Sequence, residues 1–405
     1  MHQFEKYSSY KDSGVEWLGE IPDGWESLSN KNIYSIKKNL VGKRSSNYLL
    51  LSLTLNGVIV RDMINPQGKF PAEFDTYQEV KIGDFIFCLF DVEETPRTVG
   101  LSEFDGMITG AYTVMSVRQN VDKKFLYYFY LNLDSDKRMK SLYTGLRNTI
   151  TKDSFFSFKT FLPPQPEQTA IATFLDEKTA KIDLAISQKE QMIALLKERK
   201  QILIQNAVTK GINPNAKMKD SGVEWIREIP DGWEVKRIKH LMKIKNGQDH
   251  KHIIADLGYP VFGSGGQFAY AKEYLYDGEA LLLGRKGTID KPLYVNEKFW
   301  TVDTMFYAIV NKKNSTKFCH FLSTTIPFSY YSTATALPSM TQENLNNHKI
   351  ALPSISEQKS IVNFIETQSA KIDQSIALNQ SQIAKLKEYK SVLIDSAVTG
   401  KIKVC

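Results

Sequence analysis

KDSGVEWLGEIPDGWE, residues 11–26, returns as KDSGVEWIREIPDGWE at 219–234. A second block opens LPPQPEQTAIATFLDEKTAKID at 162–183, runs to residue 209, and returns without a gap at 352–399, where it opens LPSISEQKSIVNFIETQSAKID. The first pair is offset by 208 residues and the second by 190, so the length difference lies in the segments between, 27–161 and 235–351. The chain therefore reads as two halves, each a shared frame around a divergent insert. Keeping the frame while the insert drifts suits a protein that reads two different things with one geometry.

The net charge of +7 becomes informative once it is divided. Residues 27–161 hold 18 Lys and Arg against 14 Asp and Glu, and residues 235–351 hold 15 against 9, a surplus of +4 and +6 that leaves −3 for the rest. A surplus confined to the inserts points to a polyanion as their partner, with the frame meeting something else. Chance variation in solvated surface charge is the plainer alternative and stays open here. At 405 residues, 42% hydrophobic and 24% charged, the chain has material for two or three cores. Its longest apolar runs, LLLSLTL (49–55) and ALLLG (280–284), are far shorter than the roughly 20 residues of a membrane span. No apolar run of signal type precedes Asp12. Cys88, Cys319 and Cys405 are odd in number and scattered, which argues against a disulfide framework and for a reducing compartment. The expectation is a cytoplasmic protein with no membrane association.

The second repeated block predicts a long helix. No Gly or Pro falls between Glu167 and Val208, while Pro163, Pro164 and Pro166 stand before and Gly211 after. Apolar residues recur at alternating spacings of four and three, at Ile182, Ile186, Ile193, Leu196, Leu203 and Ala207, with Lys189 and Lys200 in the same series. The copy gives Ile372, Ile376, Ile383, Leu386, Leu393 and Ala397, with Asn379 and Lys390 at polar places. That spacing is a coiled-coil seam. A helix of about 42 residues runs about 60 Å and cannot bury its stripe alone, so each copy is the other's natural partner. Duplication suggests a pseudo-twofold relation and an antiparallel pair. The seam lysines either fix register or run out along the edge of the pair. With the inserts handing over to the helices at Leu162 and Leu352, such a rod would serve as a ruler for a bipartite duplex site.

The inserts read as mixed α/β domains. In the first, NYLLLSL (47–53), GVIVRD (57–62), DFIFCLF (84–90) and AYTVMSV (111–117) have strand character, followed by a helix at 123–133. In the second, YPVFGSGG (259–266), EALLLGRKGT (279–288), KPLYV (291–295) and DTMFYAIV (303–310) are strand and turn, with a helix near 316–325. Gly83-Asp84 and Gly278-Glu279 each introduce an apolar strand, which suggests one ancestral fold for both.

The doubled DSGVEW…EIPDGWE segment, the doubled LPP…EQ…F…KID and LKE…LI..AVT helices, and insert motifs such as YPVFGSGG, LLLGRKGTI, FDVEETPRTVGL and DGMITGAYTV together resemble the specificity subunits of type I DNA restriction-modification enzymes. The resemblance covers nearly the whole chain, and the order of opening segment, insert and helix, given twice, is more specific than any short motif. It implies an α+β chain with two α/β target-recognition domains separated by a long antiparallel two-helix coiled coil. It divides the chain into an opening segment plus first target-recognition domain (1–161), a first spacer helix (162–212), a linker, opening segment and second target-recognition domain (213–351), and a second spacer helix with tail (352–405). It also implies a non-catalytic subunit that binds double-stranded DNA, docks two methyltransferase (modification) subunits and is joined by restriction (translocase/nuclease) subunits.

On its own terms the sequence offers no catalytic constellation and no cofactor site. The nearest approach to an adenine-methyltransferase loop is Asn65-Pro66-Gln67, and the nearest Gly-rich bend is Phe262-Gly263-Ser264-Gly265-Gly266; neither fits. Gly284-Arg285-Lys286-Gly287-Thr288 breaks the order of a phosphate-binding loop. His250 and His252 lack a Cys pair or carboxylate at ligand spacing, so no metal is expected.

The residues with groove-reading chemistry are Arg285 and Lys286, which Gly284 and Gly287 allow close to a duplex, with Thr288 beside them and Ser264 in a glycine turn. In the first insert Arg97, between Pro96 and Thr98, and the loop with Gly145, Arg147, Asn148 and Thr149 offer comparable groups; Lys43 and Arg44 are expected on phosphates. For each, an ordinary turn with a solvated charge is the competing account. Trp17, Trp25, Trp225 and Trp233 in the doubled segments either pack on the helix ends or bind two copies of one partner. A stand-alone bipartite-site regulator and a coiled-coil adaptor remain as alternatives.

Overall fold

The computed structural model describes residues 4–63, 73–118, 120–331 and 338–404, so Asn65-Pro66-Gln67 and Cys405 lie outside the described residues. The chain divides into two compact units, residues 1–189 with 381–405 and residues 190–380.

In the first unit the strand Glu26–Ser29 pairs antiparallel with Lys159–Leu162, Glu26 opposite Leu162, so the two ends of the insert lie side by side. Between them stands an antiparallel sheet in the order Tyr34–Ile36, Thr113–Val117, Phe85–Phe87, Val99–Leu101. Phe85, Ile86 and Phe87 are all buried, as expected of a strand covered on both faces. Tyr34 meets Phe85, Phe87 and Tyr130 with ring centroids 5.5, 5.6 and 5.8 Å apart in edge-to-face contacts. The helix Lys123–Ser135 begins at Asp122, whose carboxylate accepts from the backbone N–H of Lys124 and Phe125. The predicted strand 47–53 shortens to Leu51–Thr54, because Gly42–Asn47 coils into a 3₁₀ turn.

The second unit repeats this plan and enlarges it. Glu234–Arg237 pairs with Lys349–Leu352 in the same register, Glu234 opposite Leu352. Its seven-stranded sheet runs Met242–Asn246, Met305–Val310, Tyr276–Gly284, Leu293–Thr301, Tyr259–Gly263, Gly266–Ala271, Ile254–Ala255. The first four strands match the order and antiparallel pairing of the first unit's sheet, and the other three extend its edge. The predicted strand KPLYV continues to Thr301 because Val295 and Phe299 are buried on one face and Trp300 on the other.

The long helices span Gln165–Lys210 and Ile355–Val398. The first begins before Glu167, since Pro166 falls in the first turn, where its missing N–H is not needed. Each stops at a glycine with left-handed backbone, Gly211 (φ +78°) and Gly400 (φ +76°). Within the first unit, residues 165–189 pack antiparallel on 381–398: Asp183 pairs with Lys390 at 2.6 Å, and Lys189 bonds Gln382. Within the second, Lys200 pairs with Asp373 at 2.7 Å. Shifted by the repeat offset of 190, the second ion pair is the first with the helices exchanged. Positions 182, 186, 189, 193, 196, 200, 203 and 207, and 372, 376, 379, 383, 386, 390, 393 and 397, are all buried or half-buried.

Three junction devices occur in both units. Trp25 Nε1 donates to Glu167 Oε1 at 3.0 Å, and Trp233 Nε1 donates to Glu357 Oε1 at 3.0 Å. Gln168 donates to the carbonyl of Pro163 and accepts from the N–H of Asp122; Gln358 does the same with Pro353 and Ser315, the caps of the insert helices. Lys124 pairs with Asp176 and Lys317 with Glu366. Both glutamines are buried, so each bond replaces one that water would otherwise supply.

Candidate nucleic-acid interface

In the second unit the strand Tyr276–Gly284 ends where a loop turns back on itself. A Cβ on Gly284 would sit 2.2 Å from the carbonyl oxygen of Thr288, so only glycine permits the return. Arg285 leaves this turn half-buried: its N–H donates to the carbonyl of Thr304 at 2.9 Å, its Nη1 to that of Asp303 at 3.3 Å, and its guanidinium lies 5.8 Å from the Phe306 ring centroid. Lys286 is exposed beside it. Gly287 has φ +83°, and its Cβ would meet Ser264 Oγ at 3.0 Å, which brings the glycine turn after Tyr259–Gly263 against the same loop. Ser264, Arg285, Lys286 and Thr288 are thus gathered at one end of the sheet.

A further segment joins them, and sequence reasoning did not single it out for this role. Gly247 lies so close to the chain at Val302 that a Cβ would be 2.1 Å from its carbonyl oxygen, and Gln248 N–H donates to Thr301 O at 2.8 Å. These contacts lay residues 248–252 along the cluster, with Lys251 and His252 exposed and His250 edge-on to exposed Phe268 at 5.2 Å. The signal available was Asn246-Gly247 closing an amphipathic strand; its contact with residue 302 is not local. The two histidines meet aromatic rings, His252 facing Trp300. Among the described residues no group of three or more His, Cys, Asp or Glu is placed to hold a metal ion. Cys88 and Cys319 are buried free thiols, and burial pushes the Cys319 thiol up to about 12.

The first unit treats its candidates differently. Arg97 is held inward: its side chain is 18% exposed, 3.6 Å from the buried carboxylate of Asp134, with Nη2 donating to the carbonyl of Leu55. Arg147, 73% exposed at the tip between Tyr143–Thr144 and Thr149–Ile150, makes a two-point pair with Asp91 at 3.0 and 2.6 Å. Asn148 donates to Glu94, and Lys140 pairs with Glu93. The loop expected to offer groove-reading groups therefore has Arg147 and Asn148 each bonded to a carboxylate, with a third beside it on Lys140. Lys43 and Arg44 stand exposed on the turn Gly42–Asn47.

The tryptophans separate into two kinds. Trp25 and Trp233 are 1% and 2% exposed and bonded to the helix starts, so both rings are packed inside their units. Trp17 is half-buried under the Arg138 guanidinium, 5.3 Å from its ring. Trp225 alone is open, 47% exposed, with His348 stacked on it at 5.6 Å.

Known proteins match this chain over most of its length. The type I restriction modification DNA specificity domain matches residues 99–194 and 230–388. A protein of Methanocaldococcus jannaschii described as a type I restriction enzyme MjaX specificity subunit is 24% identical over 433 residues, covering 99% of this chain and 98% of its own. The MjaVIII specificity subunit of the same organism is 24% identical over 319 residues, covering 70% of this chain and 71% of its own. Among solved structures, the HsdS subunit from Thermoanaerobacter tengcongensis superposes with a TM-score of 0.53 at 15% identity, covering 96% of this chain and all of that one. A chain from a study of complex assembly and conformational transition of the type I R-M system superposes with a TM-score of 0.70 at 13% identity, covering 93% and 98%. No helix among the described residues is long and apolar enough to cross a membrane. With the family match extending over more than half of its residues, the chain belongs to the type I restriction-modification DNA specificity family, whose task is DNA target recognition.

Proposed function

We propose that this chain is the non-catalytic, DNA-reading subunit of a cytoplasmic type I restriction-modification complex. Each insert reads one half of a bipartite duplex site, and the long helices set the number of unread base pairs between the halves. The frame docks two methyltransferase subunits, to which restriction subunits are added. The domain boundaries that go with this reading are 1–161, 162–212, 213–351 and 352–405. Lys286, Arg285, Ser264 and Thr288 meet the second half-site, and Lys43 and Arg44 meet phosphates beside the first.

One observation carries the reading: both units keep the same core sheet and the same three helix junctions, while the loops at one end of that sheet differ in length, glycine content and charge. A protein with one target has no use for two such loop sets on one frame. The test is the methylation pattern of the host genome with and without the gene. A two-part motif that disappears with the gene, and co-purification with an adenine methyltransferase at one copy of this chain to two, are the expected results; an unchanged methylome contradicts the proposal. Deleting 190–196 together with 380–386 should shorten the unread spacer and leave both half-sites as they are.

A further inference from the structure

We infer that the first unit meets its DNA half-site through a cleft beside strands Tyr34–Ile36 and Thr113–Val117, with Lys38 and Lys152 as its contacts to the phosphate backbone. This inference rests on the bipartite reading above.

The cleft has a volume of about 750 Å³, and its walls include Lys38, Lys152, Thr76, Gln78, Thr109 and Thr113. Among the described residues no carboxylate lines it. Both lysines are exposed, and neither makes an ion pair among the described residues. On the other flank of Thr113–Val117, Asp91, Glu93 and Glu94 face Arg147, Lys140 and Asn148, so the cations there are already matched. A polyanion gains most where cations stand unmatched and no carboxylate repels it.

The cleft is also built for close approach. A Cβ on Gly110 would lie 2.9 Å from the carbonyl oxygen of Thr76, so the turn 109–112 sits tight against the chain opposite. Gln78 Nε2 donates to the carbonyl of Tyr112 at 2.8 Å and fixes that turn. The N–H of Lys37 donates to Val114 O at 2.9 Å, placing Lys38 just beyond the last ladder contact. Hydroxyls of Thr76 and Thr109 complete a set of donors suited to a DNA backbone and groove edge.

The repeat supplies an independent argument. Ile36 pairs with Met115 as Ile244 pairs with Ala308, and Thr113 with Phe87 as Phe306 with Leu283. In that common register Lys38 stands where Asn246 leads into residues 247–252, and the turn 109–112 stands where Val302–Thr304 holds Arg285. The cleft of the first unit and the Arg285 cluster of the second therefore occupy the same end of the same core sheet.

The experiment uses the full chain assembled with its methyltransferase subunits, comparing wild type, Lys38→Gln/Lys152→Gln, Arg147→Ala and Arg285→Ala. Thermal melts control for folding, which two exposed lysines should not disturb. The double variant is expected to lower the slope of log affinity against log salt by about 2, one for each lysine, and to lose hydroxyl-radical protection only over the half-site that Arg285→Ala leaves intact. Arg147→Ala should match wild type in both readouts. A double variant with the wild-type salt slope, or with protection lost equally over both halves, overturns the cleft. A wild-type complex that marks no two-part site instead removes the functional reading, and the cleft's role with it.

Discussion

After the central strand of its core sheet the first unit continues Leu89-Phe90-Asp91-Val92-Glu93-Glu94, and at the matching place the second continues Arg285-Lys286-Gly287-Thr288. A few residues from each insert's end, by contrast, both units bond a buried tryptophan to the first turn of a long helix at the same 3.0 Å. The junctions are closed and desolvated, so almost any replacement leaves a cavity or an unpaired donor. The loops are solvated and can exchange acid for base without touching the core. Two units that agree at the helices and disagree at the sheet's far end are separated into a part held constant and a part free to vary.

The sharpest way to break this comparison is at the junctions. Trp25→Ala and Trp233→Ala each remove a buried ring and an indole donor to a glutamate, Glu167 keeping the Tyr7 hydroxyl as a second donor, and each should cost about 3–5 kcal/mol in urea unfolding. Trp225→Ala, at an exposed ring, should cost under about 1 kcal/mol. Unequal losses at Trp25 and Trp233 would show that the repeated geometry does not carry repeated energy.

A second test uses the position where the two junction strands begin, Phe158 in one unit and His348 in the other. Burial holds His348 down to about 4, and its Nδ1 lies 2.6 Å from Tyr331 Oη. Between pH 6.5 and about 4 the unfolded chain binds a proton that the folded ring does not. Stability of the second unit should therefore fall as pH drops through that window, by up to about 3 kcal/mol. Urea midpoints of His348→Phe should depend less steeply on pH than wild type; His320, also held low by burial, leaves part of the slope. An unchanged slope would contradict the assignment.

Smaller effects test the loops. Arg285→Ala should cost about 1–3 kcal/mol of binding and relax one half-site only, whereas Arg147→Ala, whose partner Asp91 is already intramolecular, should leave both half-sites unchanged. Loss at both halves from Arg285→Ala would mark it as a residue of assembly. The smallest expected effect lies on the helices. Double-mutant cycles on Asp183 with Lys390 and on Lys200 with Asp373 should return equal couplings of about 0.2–1 kcal/mol that shrink with salt.

Much of this was legible in the sequence, for reasons that are local. The helices followed from a four-three spacing and flanking prolines, which act within a few turns; both insert helices and the main core strands followed from apolar runs bounded by turn residues. What could not be read depends on distant partners. Arg97 looked like a free cation between Pro96 and Thr98 until Asp134, far along the chain, claimed it. Glu167 and Gln168 are ordinary polar residues in a helical pattern, and only the fold brings Trp25 and Asp122 to them. Ser264 and Arg285 carried their own signal because glycines flank both, and glycine marks close approach from either side.

The most direct measurement is an exchange: the second insert, 235–351, is replaced by that of a related specificity subunit, and the methylome of cells carrying the chimera is sequenced beside that of the parent. The account predicts that one half of the recognised motif changes to the donor's while the other half and the spacer persist. A motif altered in both halves, or in neither, would contradict the claim that each unit chooses its own half of the target.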